Sequence, residues 1–141
     1  MLGSIGTRDD VRALFTRHDL PDVYDWAEDV LGDVIEIVTG DLELAVLVTP
    51  AALVIDGNLR VTGDIEVSGL LIVMGDVTAH DFHCTGSAFV QRSLTLTGTC
   101  VAGDVAALYC QTLNAHELVG DPSRVAHSPT KIFGPLRSTV S

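Results

Sequence analysis

The feature that most constrains this chain is a short spacing that keeps returning. From Ile35 to Leu118, pairs of small or branched apolar residues at i and i+2 recur about every six residues. The pairs begin Ile35/Ile37, Leu42/Leu44, Val46/Val48, Leu53/Ile55, Leu59/Val61 and Ile65/Val67. They continue as Leu70/Ile72, Val77/Ala79, Phe82/Cys84, Ala88/Val90, Leu94/Leu96 and Cys100/Ala102, and resume at Leu108/Cys110 and Leu113/Ala115. Alternation of this kind marks a short strand with one buried face. Between the pairs fall Gly57, Gly63, Gly69, Gly75, Gly86 and Gly98, often followed by Asn58, Asp64 or Asp76. A Gly-Asp or Gly-Asn step is corner chemistry: glycine accepts positive φ, and the short polar side chain bonds the turning backbone.

Three six-residue sides close a coil of about 18 residues, and a fixed short period of this kind specifies a solenoid. The spacings agree: Leu53 to Leu70 is 17, Leu59 to Val77 is 18, and Ile65 to Phe82 and Val77 to Leu94 are both 17. The expected fold class is therefore all-β: a parallel β-helix in the form of a triangular solenoid, with about four to five coils and an N-terminal α-helical cap. Composition fits. Hydrophobic residues make up 47% of the 141 and aromatics only 5%, so the core has to be stacked from Val, Leu, Ile and Ala.

Three regions follow. Residues 1–33 form a helical cap, 34–121 the solenoid and 122–141 a basic tail, within one structural domain. Thr7 is placed to cap a helix whose first turn carries Asp9 and Asp10, and Val11, Leu14 and Phe15 recur at helical spacing. A second helix starts near Pro21, with Val23, Trp26, Ala27, Val30 and Leu31 on one face and Gly32 as its stop. Two short helices cannot stand alone. They are expected to cover the open edge of the first coil near Ile35, with Trp26, Val30 and Leu31 against it, because an uncovered edge invites pairing with another chain. The tail either stays disordered or folds back as a second cap.

Composition also excludes. The longest apolar run, LAVLVTPAALVI, is too short to span a bilayer, and MLGSIGTRDD lacks the pattern of an export signal, so a cytoplasmic location is expected. Residues 1–121 hold all 19 acids beside five arginines, a balance of −14, while the last twenty residues carry Arg124, Lys131 and Arg137 and no acid. Such a body does not bind nucleic acid through phosphates. Cys84, Cys100 and Cys110 have no metal or disulfide spacing; Cys84 and Cys100 read as inward residues stacked one coil apart.

The run LVIDGNLRVTGDIEVSGLLIVMGDVTAHDFHCTGS resembles the bactofilins and bactofilin-like polymer-forming proteins, whose cores repeat G-D-aliphatic-x-Ala/Val as Gly75-Asp76-Val77-Thr78-Ala79 does. The resemblance covers roughly residues 41–121. It implies a right-handed parallel β-helix that assembles end to end as a scaffold without nucleotide. Bactofilins flank the core with short tails, whereas this chain places about thirty residues of expected helix before it. A capped end favours a dimer or small homo-oligomer through the other end, with Leu113, Leu118, Ile132 and Phe133 as contact candidates. Phe89, Tyr109 and Phe133 are the aromatics expected at a contact or beneath the tail.

The expected function is non-enzymatic: a structural or assembly module that forms a small oligomer and scaffolds a partner, with no catalytic residues and no cofactor. A second reading makes it an acidic binding protein, of inhibitor, immunity or nucleic-acid-mimic type, engaging a basic partner protein. A remote third compares His80 and His116, 36 residues apart, with the γ-class carbonic anhydrases, whose zinc lies between subunits; the position of the third histidine holds Asp121. Two coils stacked at about 4.8 Å separate His80 from His116, so one zinc could not join them within a chain.

Overall fold

In the computed structural model, residues 4–19, 24, 35–49, 51–102, 107–115, 117–119, 125–126 and 137–138 are described. The chain winds as a three-sided β-solenoid of about four turns. The first turn comprises β2 (Ile35–Thr39), β3 (Leu42–Leu44) and β4 (Leu47–Thr49); a short strand, β1 (Ser4–Gly6), precedes it. The second comprises β5 (Ala52–Asp56), β6 (Leu59–Val61) and β7 (Ile65–Val67), and the third β8 (Leu70–Val73), β9 (Val77–Ala79) and β10 (Phe82–Cys84). The fourth merges two sides into β11 (Ser87–Leu96) and closes with β12 (Thr99–Ala102). A further layer repeats this with β13 (Ala107–Ala115) and β14 (Glu117–Val119), and the tail adds β15 (Val125–Ala126) and β16 (Arg137–Ser138).

Strands one turn apart pair in parallel on each side. On side one Ile35 pairs Ala52, Ala52 pairs Leu70 and Leu70 pairs Ser87. On side two Leu42 pairs Leu59, Leu59 pairs Val77 and Val77 pairs Leu94. Side three aligns Leu47, Ile65, Phe82, Cys100 and Leu118. These steps of 17 or 18 residues are the period read from the sequence.

The interior holds Leu53, Ile55, Leu59, Val61, Ile65, Val67, Leu71, Val73, Val77, Phe82, Cys84, Val90 and Leu94, all buried. Burying each larger aliphatic or aromatic side chain contributes about 1.5–3 kcal/mol. The expected inward pairs hold on sides two and three in the second and third turns, at Leu59/Val61, Ile65/Val67, Val77/Ala79 and Phe82/Cys84, and at Leu94/Leu96 in the fourth. Three pairs fail. Ile35/Ile37 and Leu70/Ile72 face outward, and their neighbours Val38, Leu71 and Val73 fill the core. In the first turn Leu47 and Thr49 are the inward pair, leaving Val46 and Val48 in solvent at 62% and 56% exposure.

The outward face of side one is apolar because a helix lies on it. Helix α1 (Arg8–Arg17) starts in a capping box: Asp10 N–H donates to Thr7 Oγ1 at 3.2 Å, and Thr7 N–H donates to Asp10 Oδ2 at 2.9 Å. Its Val11, Leu14 and Phe15 are buried against Ile35, Ala52, Val54, Leu70, Ile72, Met74 and Phe89, residues contributed by four successive turns. The N-terminal helical cover is present, and it covers a flank. The edge of side one is covered by β1, paired antiparallel to β2 with Ile5 opposite Glu36. Tyr24 is buried in the same outer cluster; Trp26, Val30, Leu31 and the rest of the expected second helix lie outside the described residues.

At the other end two short strands of the tail pair parallel to β13. Val125 pairs Leu108 through β15, and Arg137 pairs Asn114 through β16.

The corners work differently from expectation. Gly40 is the one described glycine with positive φ, at 96°. Gly57, Gly63, Gly75, Gly86 and Gly98 are needed for close approach between turns: a Cβ on Gly75 would run into Asn58 Oδ1 and the Gly57 carbonyl of the turn before.

Candidate functional site

Three places could carry function: the exposed edges of the first turn, the seam beneath α1, and the polar corners.

At the first turn, β3 pairs only with β6 and β4 only with β7 among the described residues, so both present an outer edge of backbone N–H and C=O groups. The two edges meet at the corner formed by Ala45 and Val46. Val46 and Val48 stand exposed beside them, and Leu42 and Leu44 are only partly buried against the core they end. Thr49, buried at 3% exposure, has a hydroxyl without a hydrogen-bond partner among the described residues. Most chains avoid such an end, because two strand edges and exposed valines together invite another chain.

The seam beneath α1 is a groove of about 650 Å³ lined by Ile5, Asp10, Leu14, Arg17, Val38 and Asp56, among others. Its charges satisfy each other. Arg17 Nη2 pairs with Asp56 Oδ2, and His18 Nε2 lies 2.8 Å from Asp56 Oδ1, which ties the end of the helix to β5. This latch accounts for the groove as the join between helix and solenoid.

The corners divide into two columns. In the first, each side chain reaches one turn ahead: Asp41 Oδ1 accepts Asn58 N–H at 2.9 Å, Asn58 Oδ1 accepts Asp76 N–H at 2.8 Å, and Asp76 Oδ1 accepts Ser93 N–H at 3.0 Å. The Gly-Asp and Gly-Asn steps thus tie turn to turn. In the second column Asp64, His80 and Asp81 come together, their potential ligand atoms all within 4.8 Å of one another.

The sequence candidates fare unevenly. His80 is exposed at a corner. His116, Asp121, Ile132 and Phe133 lie outside the described residues, and Leu113 and Leu118 are placed only as members of β13 and β14. Phe89 is not a surface contact: it is 2% exposed, its ring 6.2 Å from that of Phe15 beneath α1. Cys100 aligns with Phe82, so Cys84 and Cys100 are not stacked in register; Cys84, Cys100 and Cys110 are nonetheless all buried in the solenoid core. Burial pushes the Cys84 thiol up to about 11 and those of Cys100 and Cys110 up to about 12. Such thiols are poor nucleophiles at neutral pH.

The acids do not form a uniform face on the flat sides. Exposed Glu43 lies beside exposed Arg60 in register, and Glu66 beside His83. Sequence reasoning missed Asp64 and Asp81 as neighbours of His80, although their separation of 17 residues is one solenoid period. It also missed Asp56 as the partner of Arg17 and His18. No helix among the described residues is long and apolar enough to cross a membrane.

No family model, curated protein or solved structure matches the chain.

Proposed function

We propose that this protein is a non-enzymatic assembly module, a β-solenoid that associates with a second copy of itself through an end of the coil. The observation that carries this reading is the pair of edges, β3 and β4, unpaired on their outer side among the described residues and meeting at a corner flanked by exposed Val46 and Val48. A single flat strand cannot pair two edges set at an angle. Another solenoid end has that angle built in, and its inward residues would complete the cover over Leu42 and Leu44. The sequence pointed to the C-terminal end, near Leu113, Leu118, Ile132 and Phe133. Tail strands β15 and β16 occupy two sides there, which favours the first turn as the docking end. In this reading the coil is right-handed, the hand that parallel crossovers nearly always take, and the kinship is with bactofilin-like scaffolds.

A basic partner protein is the competing occupant. With Arg60 and His83 interrupting the acidic faces, the described flat sides favour it less. Salt separates the two: screening promotes association between copies of a chain of net charge −11 and weakens binding to a basic partner. Sedimentation of the full chain at low and high salt, beside Val46→Glu/Val48→Glu, tests the proposal. A monomer under all conditions, indistinguishable from the variant, removes it.

A further inference from the structure

The second column of corners holds three groups that the fold does not use up. Asp64 follows Gly63 between β6 and β7, and His80-Asp81 occupies the same corner one turn later, between β9 and β10. Thr97 and Gly98 form it again between β11 and β12, with Thr99 opening β12. The backbones of these corners are stapled together: His80 N–H donates to Gly63 O at 2.9 Å, and Gly98 N–H to His80 O at 2.8 Å.

The first column differs. There the side chains of Asp41, Asn58 and Asp76 each accept the N–H of the next turn, which accounts for those three residues. Here Asp81 Oδ1 accepts Thr99 N–H at 2.7 Å, but among the described residues no hydrogen bond or ion pair engages the Asp64 carboxylate. It is set beside Asp81, a like charge, and beside the imidazole of His80. Two carboxylates at that range repel, and a cation between them reverses the sign of the interaction.

The outer partners orient the would-be ligands. His80 Nδ1 lies 3.0 Å from Thr97 Oγ1; the tautomer that donates Nδ1–H to that hydroxyl leaves the lone pair on Nε2. The Thr99 N–H holds one oxygen of Asp81 and leaves the other free. Gly98 makes the arrangement possible, since a Cβ there would collide with Asp81 Oδ1 and crowd the His80 ring. An ion with ligands at about 2.1 Å keeps them within about 4.2 Å of each other. The present separation of up to 4.8 Å needs only a small rotation of the exposed Asp64 and His80 side chains towards half-buried Asp81.

We propose that Asp64, His80 and Asp81 form a surface site for a first-row divalent cation of the Zn²⁺ type, its remaining positions filled by water. One nitrogen and two carboxylate ligands suit such an ion, the imidazole favouring it over Mg²⁺ or Ca²⁺. All three ligands come from a single chain, so the site is independent of self-association and distinct from one that joins His80 to His116 and Asp121.

Calorimetric titration of ZnCl₂ into the full chain, checked by Co²⁺ absorption, decides the matter. The expected result is one saturable equivalent whose affinity falls by about tenfold or more in His80→Ala and in Asp64→Asn. His83→Ala, which removes an exposed histidine three residues away, should bind as the parent does. All three substitutions are at exposed positions, and circular dichroism confirms that each variant is folded. No saturable binding, wild-type affinity in either ligand variant, or an equal loss in His83→Ala would each overturn the proposal.

Discussion

Asn58 Oδ1 accepts the backbone N–H of Asp76 at 2.8 Å, joining one turn of the solenoid to the next through a side chain. The same link is made by Asp41 to Asn58 and by Asp76 to Ser93, so a column of short polar side chains runs along one corner. Gly75 sits against it with no room for a methyl group. Replacing Asn58 with Ala should cost about 1 kcal/mol, one exposed hydrogen bond. Gly75→Ala should cost more, about 1–3 kcal/mol, because backbone and side chain both have to move. Urea midpoints for the two variants check the order, and a Gly75→Ala protein as stable as the parent would contradict the close approach.

Phe15 is fully buried, with its ring 6.1 Å from Tyr24 and 6.2 Å from Phe89. It anchors the helix to the flank. Phe15→Ala should therefore lower stability by about 3–5 kcal/mol, as for a core aromatic. Hydrogen exchange should show the loss in α1 and on side one first. If only the first turn became labile, the helix would be covering an end instead.

Thr49 places a hydroxyl in an inward slot with no hydrogen-bond partner among the described residues. Thr49→Val keeps the shape and removes the unpaired group, so it should raise stability by about 1 kcal/mol. A loss on thermal or urea unfolding would mean that the hydroxyl is satisfied.

The three thiols give a pH dependence with a definite sign. Their folded values, about 11 and 12, lie above the ordinary value of 9.0 because burial disfavours the thiolate. The unfolded chain therefore loses these protons first as pH rises. The stability they contribute is complete below pH 9 and drains away from there towards pH 12. Replacing Cys84, Cys100 and Cys110 together by Ala should flatten the alkaline fall in the urea midpoint. At pH 8 the native protein should leave all three unmodified by a thiol reagent until denaturant is added, and rapid native labelling of any one would contradict its burial.

Much of this was legible in the sequence because repetition over-determines it. The 17- and 18-residue steps align Leu59 with Val77 and Ile65 with Phe82, and Thr7 with Asp10 marks the start of α1. What could not be read was direction on side one. Residues 70–74 are buried without a break, so alternation gives no sign of which member of each pair faces in. Only the helix settles it: Leu70 and Ile72 meet α1, and Leu71 and Val73 meet the core. The cluster of Asp64, His80 and Asp81 was present as a one-period spacing but is a neighbourhood only once the corners are stacked.

The most direct test of the central claim is light scattering on the full chain over about a hundredfold range of concentration, with Val46→Glu/Val48→Glu alongside. The expected result is a mass above the monomer that grows with concentration and with added salt, and a variant that stays monomeric. A monomer at every concentration, or an assembly that the two glutamates leave intact, would contradict docking through the first turn.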